Sequence, residues 1–320
     1  MDSLFKRIRQ RLSSWGTSSE DRSLVAAAFG KHPGWDDHMD DIQTPAVAAL
    51  KRILYDEGIG RNIDNGRWAE LESRQSAIEF GHTFVWCRDS DTIAGRLWPS
   101  RDGRGRTSYP MVVCVHCLHV PLRWVYDYVL PRLVRLETEC RNSGTANEVR
   151  ACLSACQEAL LVMLDKSDRS EQEPCGEADP IIRLMDSAVS GPDKEGLIRI
   201  LYHIDREMSA GVVSCAGRDG YEHSVHVRVP ASGGHVAETS IVWTTLLLRE
   251  YGQHAGVFVI MPQQETWLDI IIGDPSPQLY CLRVSSEALP LTSTVPYKIS
   301  DEFVERVRQR AGIARTHNSS

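Results

Sequence analysis

The chain has 320 residues, 42% of them hydrophobic and 25% charged, with a formal net charge of -7 at pH 7. That balance builds a globular body with a sizeable core and excludes wholesale disorder or a fibrous repeat, while the acidic excess argues against a general nucleic-acid binder, which needs a basic surface to displace counterions. No apolar run reaches the roughly 20 residues of a membrane-crossing helix, and nine irregularly spaced cysteines without a secretory leader pattern read as reduced thiols of a cytoplasmic protein.

Residues 1–16 set Leu4, Phe5, Ile8, Leu12 and Trp15 on one helical stripe, with Lys6, Arg7, Arg9 and Arg11 beside or opposite it. This is an amphipathic basic helix, followed by a Ser/Thr-rich linker to residue 23. Such a helix suits its own domain, a groove on a partner, or peripheral contact with an anionic membrane surface. Strands are expected at 24–29, 82–88, 92–98 and 109–117, the last with the continuous apolar run Met111-Val112-Val113-Cys114-Val115 of a central strand covered on both faces. A helix with Pro45 in its first turn spans 45–55. Helices at 122–141 and 146–164 precede a charged loop at 165–179, and two more follow at 180–189 and 194–208. After residue 211 come strand 224–229, helix 237–251, strands 257–261, 267–272 and 278–284, helix 301–311 and a tail at 315–320.

The expected class is α/β, a mixed sheet sandwiched by helices (α/β/α). The order βαβββα occurs twice, which allows two lobes, although no residues match between the halves. The division is 1–23 helix and linker, 24–210 first α/β domain, 211–320 C-terminal α/β lobe.

Two segments carry the functional information. In Gly30-Lys31-His32-Pro33-Gly34-Trp35-Asp36-Asp37-His38 a short apolar run ends in glycine and proline stops, then an aromatic residue beside two carboxylates. In Pro99-Ser100-Arg101-Asp102-Gly103-Arg104-Gly105-Arg106-Thr107-Ser108-Tyr109-Pro110, Pro99 ends a strand by removing a ladder donor, Asp102-Gly103 suits a tight turn, and Gly105 permits a left-handed backbone. Asp102, set among Arg101, Arg104 and Arg106, is expected to bond Arg106 or Lys31 and to leave Arg104 pointing outward for a partner carboxylate or phosphate. Trp35 with Asp36 and Asp37 offers the aromatic anchor and acceptors of an interface hot spot, or a plug at the edge of the core.

These segments resemble the TagF family of type VI secretion-associated proteins, in which a strand ends in Gly-Lys-x-Pro and a second segment runs Pro-Ser-x-Asp-x-x-Gly-Arg before an aromatic-proline pair. The likeness spans roughly residues 24–117. It departs at Asp36-Asp37-His38, where the family usually has Gly-Asp-Phe, and at Arg101, where a small apolar residue is usual. The resemblance implies a post-translational repressor that binds a forkhead-associated scaffold and catalyses nothing. The candidate partner-contacting residues are Lys31, Pro33, Trp35, Asp36 and Asp37 in the first segment, and Ser100, Arg101, Asp102, Arg104, Arg106 and Tyr109 in the second. No catalytic residue, metal or cofactor is assigned.

Two other chemistries compete. His32, Asp36, Asp37, His38, Asp40 and Asp41 are a dense set of hard ligands, as a metal-dependent hydrolase would need, but no second ligand cluster has recognisable spacing. A structural, baseplate-associated subunit is the other alternative. Cys114 and Cys117 have Cys-x-x-Cys spacing, yet on a strand their thiols face opposite sides. No nucleophile elbow, phosphate loop or dinucleotide fingerprint occurs.

Overall fold

In the computed structural model the described residues are 22–88, 90–167, 179–185, 194–214, 224–231, 236–252 and 255–311. The amphipathic start, the C-terminal tail and most of segment 165–179 lie outside them. The most apolar run does become a central strand: Val113, Val115 and Cys117 enter one hydrophobic cluster, while Val112 and Cys114 enter a second on the opposite face. That two-sided burial is why polar alternation is missing there.

Eight strands form one sheet in the order β2-β1-β5-β4-β3-β7-β8-β6. They are β1 Ser23–Lys31, β2 His38–Asp41, β3 His82–Arg88, β4 Asp91–Pro99, β5 Pro110–Leu118, β6 Val225–Pro230, β7 Val257–Pro262 and β8 Trp267–Ile272. Strands from both halves of the chain share this sheet, joined where β3 pairs with β7. Every pairing among the described strands is antiparallel. This corrects the expected mixed sheet: β3 to β4 to β5 and β7 to β8 return directly on their neighbours, and direct returns give antiparallel pairs.

Helices cover both faces, giving the α/β/α layering. On one side lie α1 Pro45–Leu50, its π-wound continuation Lys51–Gly60, α2 Arg61–Asp64 and α3 Arg67–Ser73. On the other lie α4 Leu122–Trp124, a π-wound stretch Val125–Val129, α5 Leu130–Asn142, α6 Ala146–Ser167, α7 Pro180–Met185, α8 Lys194–Ser214, α9 Val236–Tyr251 and α10 Asp301–Arg310. Thr44 caps α1, its Oγ1 accepting from the Val47 N–H at 3.3 Å. The helix expected to stop near Tyr55 runs on through Gly58, where a Cβ would lie 2.4 Å from Leu279. Close packing overrides the weak helix propensity of glycine there.

Leu279 belongs to a 3-10 helix, Ser276–Arg283, which replaces the strand expected at 278–284. Pro275 and Pro277 start a helical turn, and β8 already has β7 and β6 on its two sides, so this apolar run packs as a short helix. Strand β2 was not anticipated, since Asp40 and Asp41 disfavour a strand. It pairs with only four residues of β1 at the sheet edge, where charge discourages edge-to-edge association.

His82, in β3, is buried, and burial is the main reason its pKa falls from 6.5 to about 4. Asp269 works against that shift, while Arg228 and Arg283 reinforce it. Between these two pH values the unfolded chain binds the extra proton, so stability is full above about pH 6.5 and declines by about 3 kcal/mol towards pH 4. Melting temperatures across this window are expected to fall less steeply in His82→Gln than in the wild type. Parallel slopes would show that another group governs this range.

Candidate functional site

Strand order brings the two signature segments together. β1 and β4 both flank β5, with Gly30 opposite Met111 and Pro99 opposite Pro110, so the loops at residues 32–37 and 100–109 leave the sheet side by side. Gly30 has φ +112°, and a Cβ there would lie 2.3 Å from the Pro110 carbonyl oxygen, so only glycine fits this passage.

Asp102 is the centre of the junction, its side chain wholly buried. Its Oδ1 accepts from the backbone N–H groups of Arg104 and Arg106, both at 3.0 Å. Its Oδ2 accepts from Lys31 Nζ at 2.8 Å and Arg106 Nε at 2.7 Å. Asp102 therefore bonds both of its anticipated partners. Lys31 Nζ also donates to Asp37 Oδ1 at 3.0 Å, and Arg106 Nη2 donates to Asp37 Oδ1 at 3.0 Å and to the Asp36 carbonyl at 2.9 Å. A backbone bond from Gly103 N–H to the Trp35 carbonyl at 2.6 Å completes the weld, and Gly105 has the left-handed φ of +81°. Burial by itself would raise the Asp102 pKa, but its bonds to Lys31, Arg106 and the two amides outweigh this and hold the carboxyl well below the usual carboxylate range. The hydrogen bond from Lys31 lowers Asp37 as well.

Above this buried charge lies an exposed rim. Pro33, Asp36, Asp37, Arg101, Arg104 and Arg106 face solvent. Arg104 Nη2 is 3.9 Å from Asp36 Oδ2, with the side chains 66% and 81% exposed, a separation and exposure at which an ion pair contributes little. Both charges are therefore open to a partner. Lys31 and Asp102, which the sequence grouped with the contact residues, are too deeply buried to touch one. They brace the surface, because a lysine and a carboxylate this far from water have to satisfy each other.

Trp35, Ser100 and Tyr109 are half-buried. Trp35 leans on the core, its ring edge-on to His32 at 5.4 Å and 5.7 Å from the Arg150 guanidinium, so its plugging role is real. Tyr109 forms a floor with Tyr55 at 5.2 Å and His38 at 5.4 Å, and Tyr55 donates to the Pro110 carbonyl at 3.2 Å. Burial lowers the His38 pKa. Sequence reasoning did not anticipate Tyr55 or Arg150 as supports, since nothing local distinguishes a tyrosine or arginine on a helix face. His32, one of the hard ligands of the competing hydrolase reading, has both ring nitrogens engaged: its Nδ1 accepts from Gly34 N–H and its Nε2 donates to the Cys140 carbonyl, each at 3.0 Å.

The segment from His32 to Asp41 does not assemble three ligand atoms around one point. Asp40 is taken by Lys51 at 2.7 Å and Asp37 by Lys31 and Arg106. Among the described residues, the grouping with ligand atoms within 4.8 Å of one another is His226, Asp269 and Cys281. Its chemistry opposes a cation: Arg228 Nε and Nη2 donate to the two Asp269 oxygens at 2.8 Å, His226 Nε2 bonds Oδ1 at 2.8 Å, and burial pushes the Cys281 thiol far above its ordinary value. The described cysteines are all free. Cys114 and Cys117 lie on opposite sheet faces, and burial pushes the Cys114 thiol up to about 12.

Among the described residues no helix is long and apolar enough to cross a membrane. No family model and no curated protein matches the sequence. Among solved structures, the chain is similar to the crystal structure of PA0076 from Pseudomonas aeruginosa PAO1, at 12% sequence identity and a TM-score of 0.39, over 86% of this chain and 99% of that one.

Proposed function

We propose that the protein is a non-enzymatic regulator associated with a type VI secretion apparatus, acting in the cytoplasm as a post-translational repressor by occupying a protein partner such as a forkhead-associated scaffold. The secretion link rests on the resemblance of the two segments to the TagF family. The observation that carries docking is the Lys31–Asp102–Arg106–Asp37 network, which joins both segments into one stiff surface while Arg101, Arg104 and Asp36 stay in solvent. A preformed rim loses little conformational freedom on binding, and exposed arginines beside a half-buried tryptophan are the residue types that dominate interface energetics.

The test is a binding titration with purified type VI components, the forkhead-associated scaffold first. The double variant Arg101→Glu, Arg104→Glu should bind about 100-fold more weakly, as expected for two hot-spot charges reversed together. Its melting temperature should not change, because both side chains are in solvent. Undiminished affinity for a component that the wild type binds would remove these arginines from the interface. Failure of every component to bind would remove the secretion reading.

A further inference from the structure

The outermost helix on its face of the sheet, α6, carries the consecutive apolar residues Leu161, Val162 and Met163 at 37%, 53% and 41% exposure. The buried ridge of the same helix is Val149, Leu153, Cys156, Leu160 and Leu164, so these three turn away from the core. Beside them the outer edge of β1 carries no paired strand before Ala28 among the described residues, since β2 pairs with β1 only from Ala28 to Lys31. Gln157 Oε1 accepts from the Ala26 N–H at 2.9 Å, which covers one donor on the outer edge of β1; the start of β1 pairs with β5 on its inner side and has no strand on its outer side among the described residues.

Two contacts give the direction of the chain here. Ala26 meets Gln157, and Trp35 meets Arg150, so β1 runs antiparallel to α6. Stepping back from Ala26 to Ser23 covers about 10 Å of strand, and going from Gln157 to Met163 covers about 9 Å of helix. The start of β1 at Ser23 thus lies level with the exposed Leu161–Met163 patch. The polypeptide that precedes it contains the apolar stripe Leu4, Phe5, Ile8, Leu12 and Trp15 with its cations Lys6, Arg7, Arg9 and Arg11. A flexible chain of seven residues, the number from 16 to 22, would span roughly 15 Å, enough to let a 16-residue helix about 24 Å long fold back along α6.

We infer that the N-terminal amphipathic segment of this same chain docks on α6, its apolar stripe covering Leu161, Val162 and Met163 and its cations beside the exposed Glu158 and Asp165. Tethering supplies an effective concentration in the millimolar range, so a modest apolar contact suffices. A second copy is the poorer occupant, because three side chains fall far short of the roughly 20–30 residues per side of a stable dimer.

The test uses the full-length protein. Ile8→Cys with Val162→Cys, treated with a short thiol-to-thiol cross-linker, should yield the 8–162 linked peptide at monomer mass, whereas Ile8→Cys with Arg61→Cys, on the opposite side of the sheet, should not. Absence of the 8–162 link, or its presence only between two chains, would overturn the inference. In Val162→Glu, an exposed site that leaves the core intact, deuterium uptake over residues 4–15 should rise about tenfold. Binding to phosphatidylcholine vesicles carrying phosphatidylserine should rise in parallel. Wild-type protein that binds those vesicles as strongly as Val162→Glu would identify the membrane, rather than α6, as the occupant's destination.

Discussion

Arg228→Met should destabilise the protein by about 3–5 kcal/mol, the range for removing one partner of a buried ion pair. Arg228 is 1% exposed, and its guanidinium does more than neutralise Asp269. It donates to the carbonyls of Val284, Ser285 and Leu289 at 2.9, 3.1 and 3.0 Å, and lies 4.6 Å from the centre of the Trp267 ring. One side chain thus ties β6 and β8 to the irregular backbone after the 3-10 helix. Methionine fills part of the volume but leaves Asp269 charged, buried and paired only with His226 through its side chain, and leaves four carbonyls, that of Cys281 among them, without that donor. Urea melts should show the loss. The double variant Arg228→Met, Asp269→Leu should recover part of it, since replacing a whole buried pair by apolar residues is often nearly neutral. A single-variant loss below about 1 kcal/mol would mean that water or neighbouring groups take over the guanidinium's bonds, and that the hub is not structural.

Asp102→Ala should weaken partner binding by roughly ten- to a hundredfold although the residue is out of a partner's reach. Without the carboxylate, Lys31 keeps only the exposed Asp37, the Arg104 and Arg106 amides lose their acceptor, and the arginine rim is no longer held against the first loop. Amide exchange across residues 100–109 should accelerate in step with the lost affinity. The pH dependence has a definite sign. The folded carboxyl is held below its reference value of 3.8, so the unfolded chain binds the proton first as pH falls. The stabilisation is complete above about pH 4 and is lost as pH drops below that through the folded-state pKa. Wild type and Asp102→Asn should therefore differ in melting temperature by a constant amount from neutral pH to about pH 5 and converge in more acid solution. Full partner affinity in Asp102→Ala would show that each loop docks independently of the other.

The positions of most strands and helices were legible in the chain because burial writes itself into apolar periodicity. β3, β4, β5, β7 and β8 lie close to their expected places for that reason. The failures have physical causes of their own. β2 is four residues of edge strand with two aspartates, and it exists only because Lys31 pairs with His38 across a six-residue bend. The 278–284 run has strand-like apolar spacing, but β8 has no side left to offer it. The first helix passes through Gly58 because Leu279 packs there, a contact more than two hundred residues away in sequence.

For the site, the residue types alone established that two bends rich in glycine, proline and charge would be shaped loops, that Asp102 would be held by cations, and that Arg104 would be spare. Tertiary structure alone decided that the loops adjoin, since only the order β2-β1-β5-β4 places both beside the start of β5. It also separated the ionic residues into a buried brace of Lys31 and Asp102 and an exposed rim of Arg101, Arg104 and Asp36. Local sequence specifies backbone shape and available charge through short-range sterics, whereas the burial of a given charge depends on which distant strands exclude water from it.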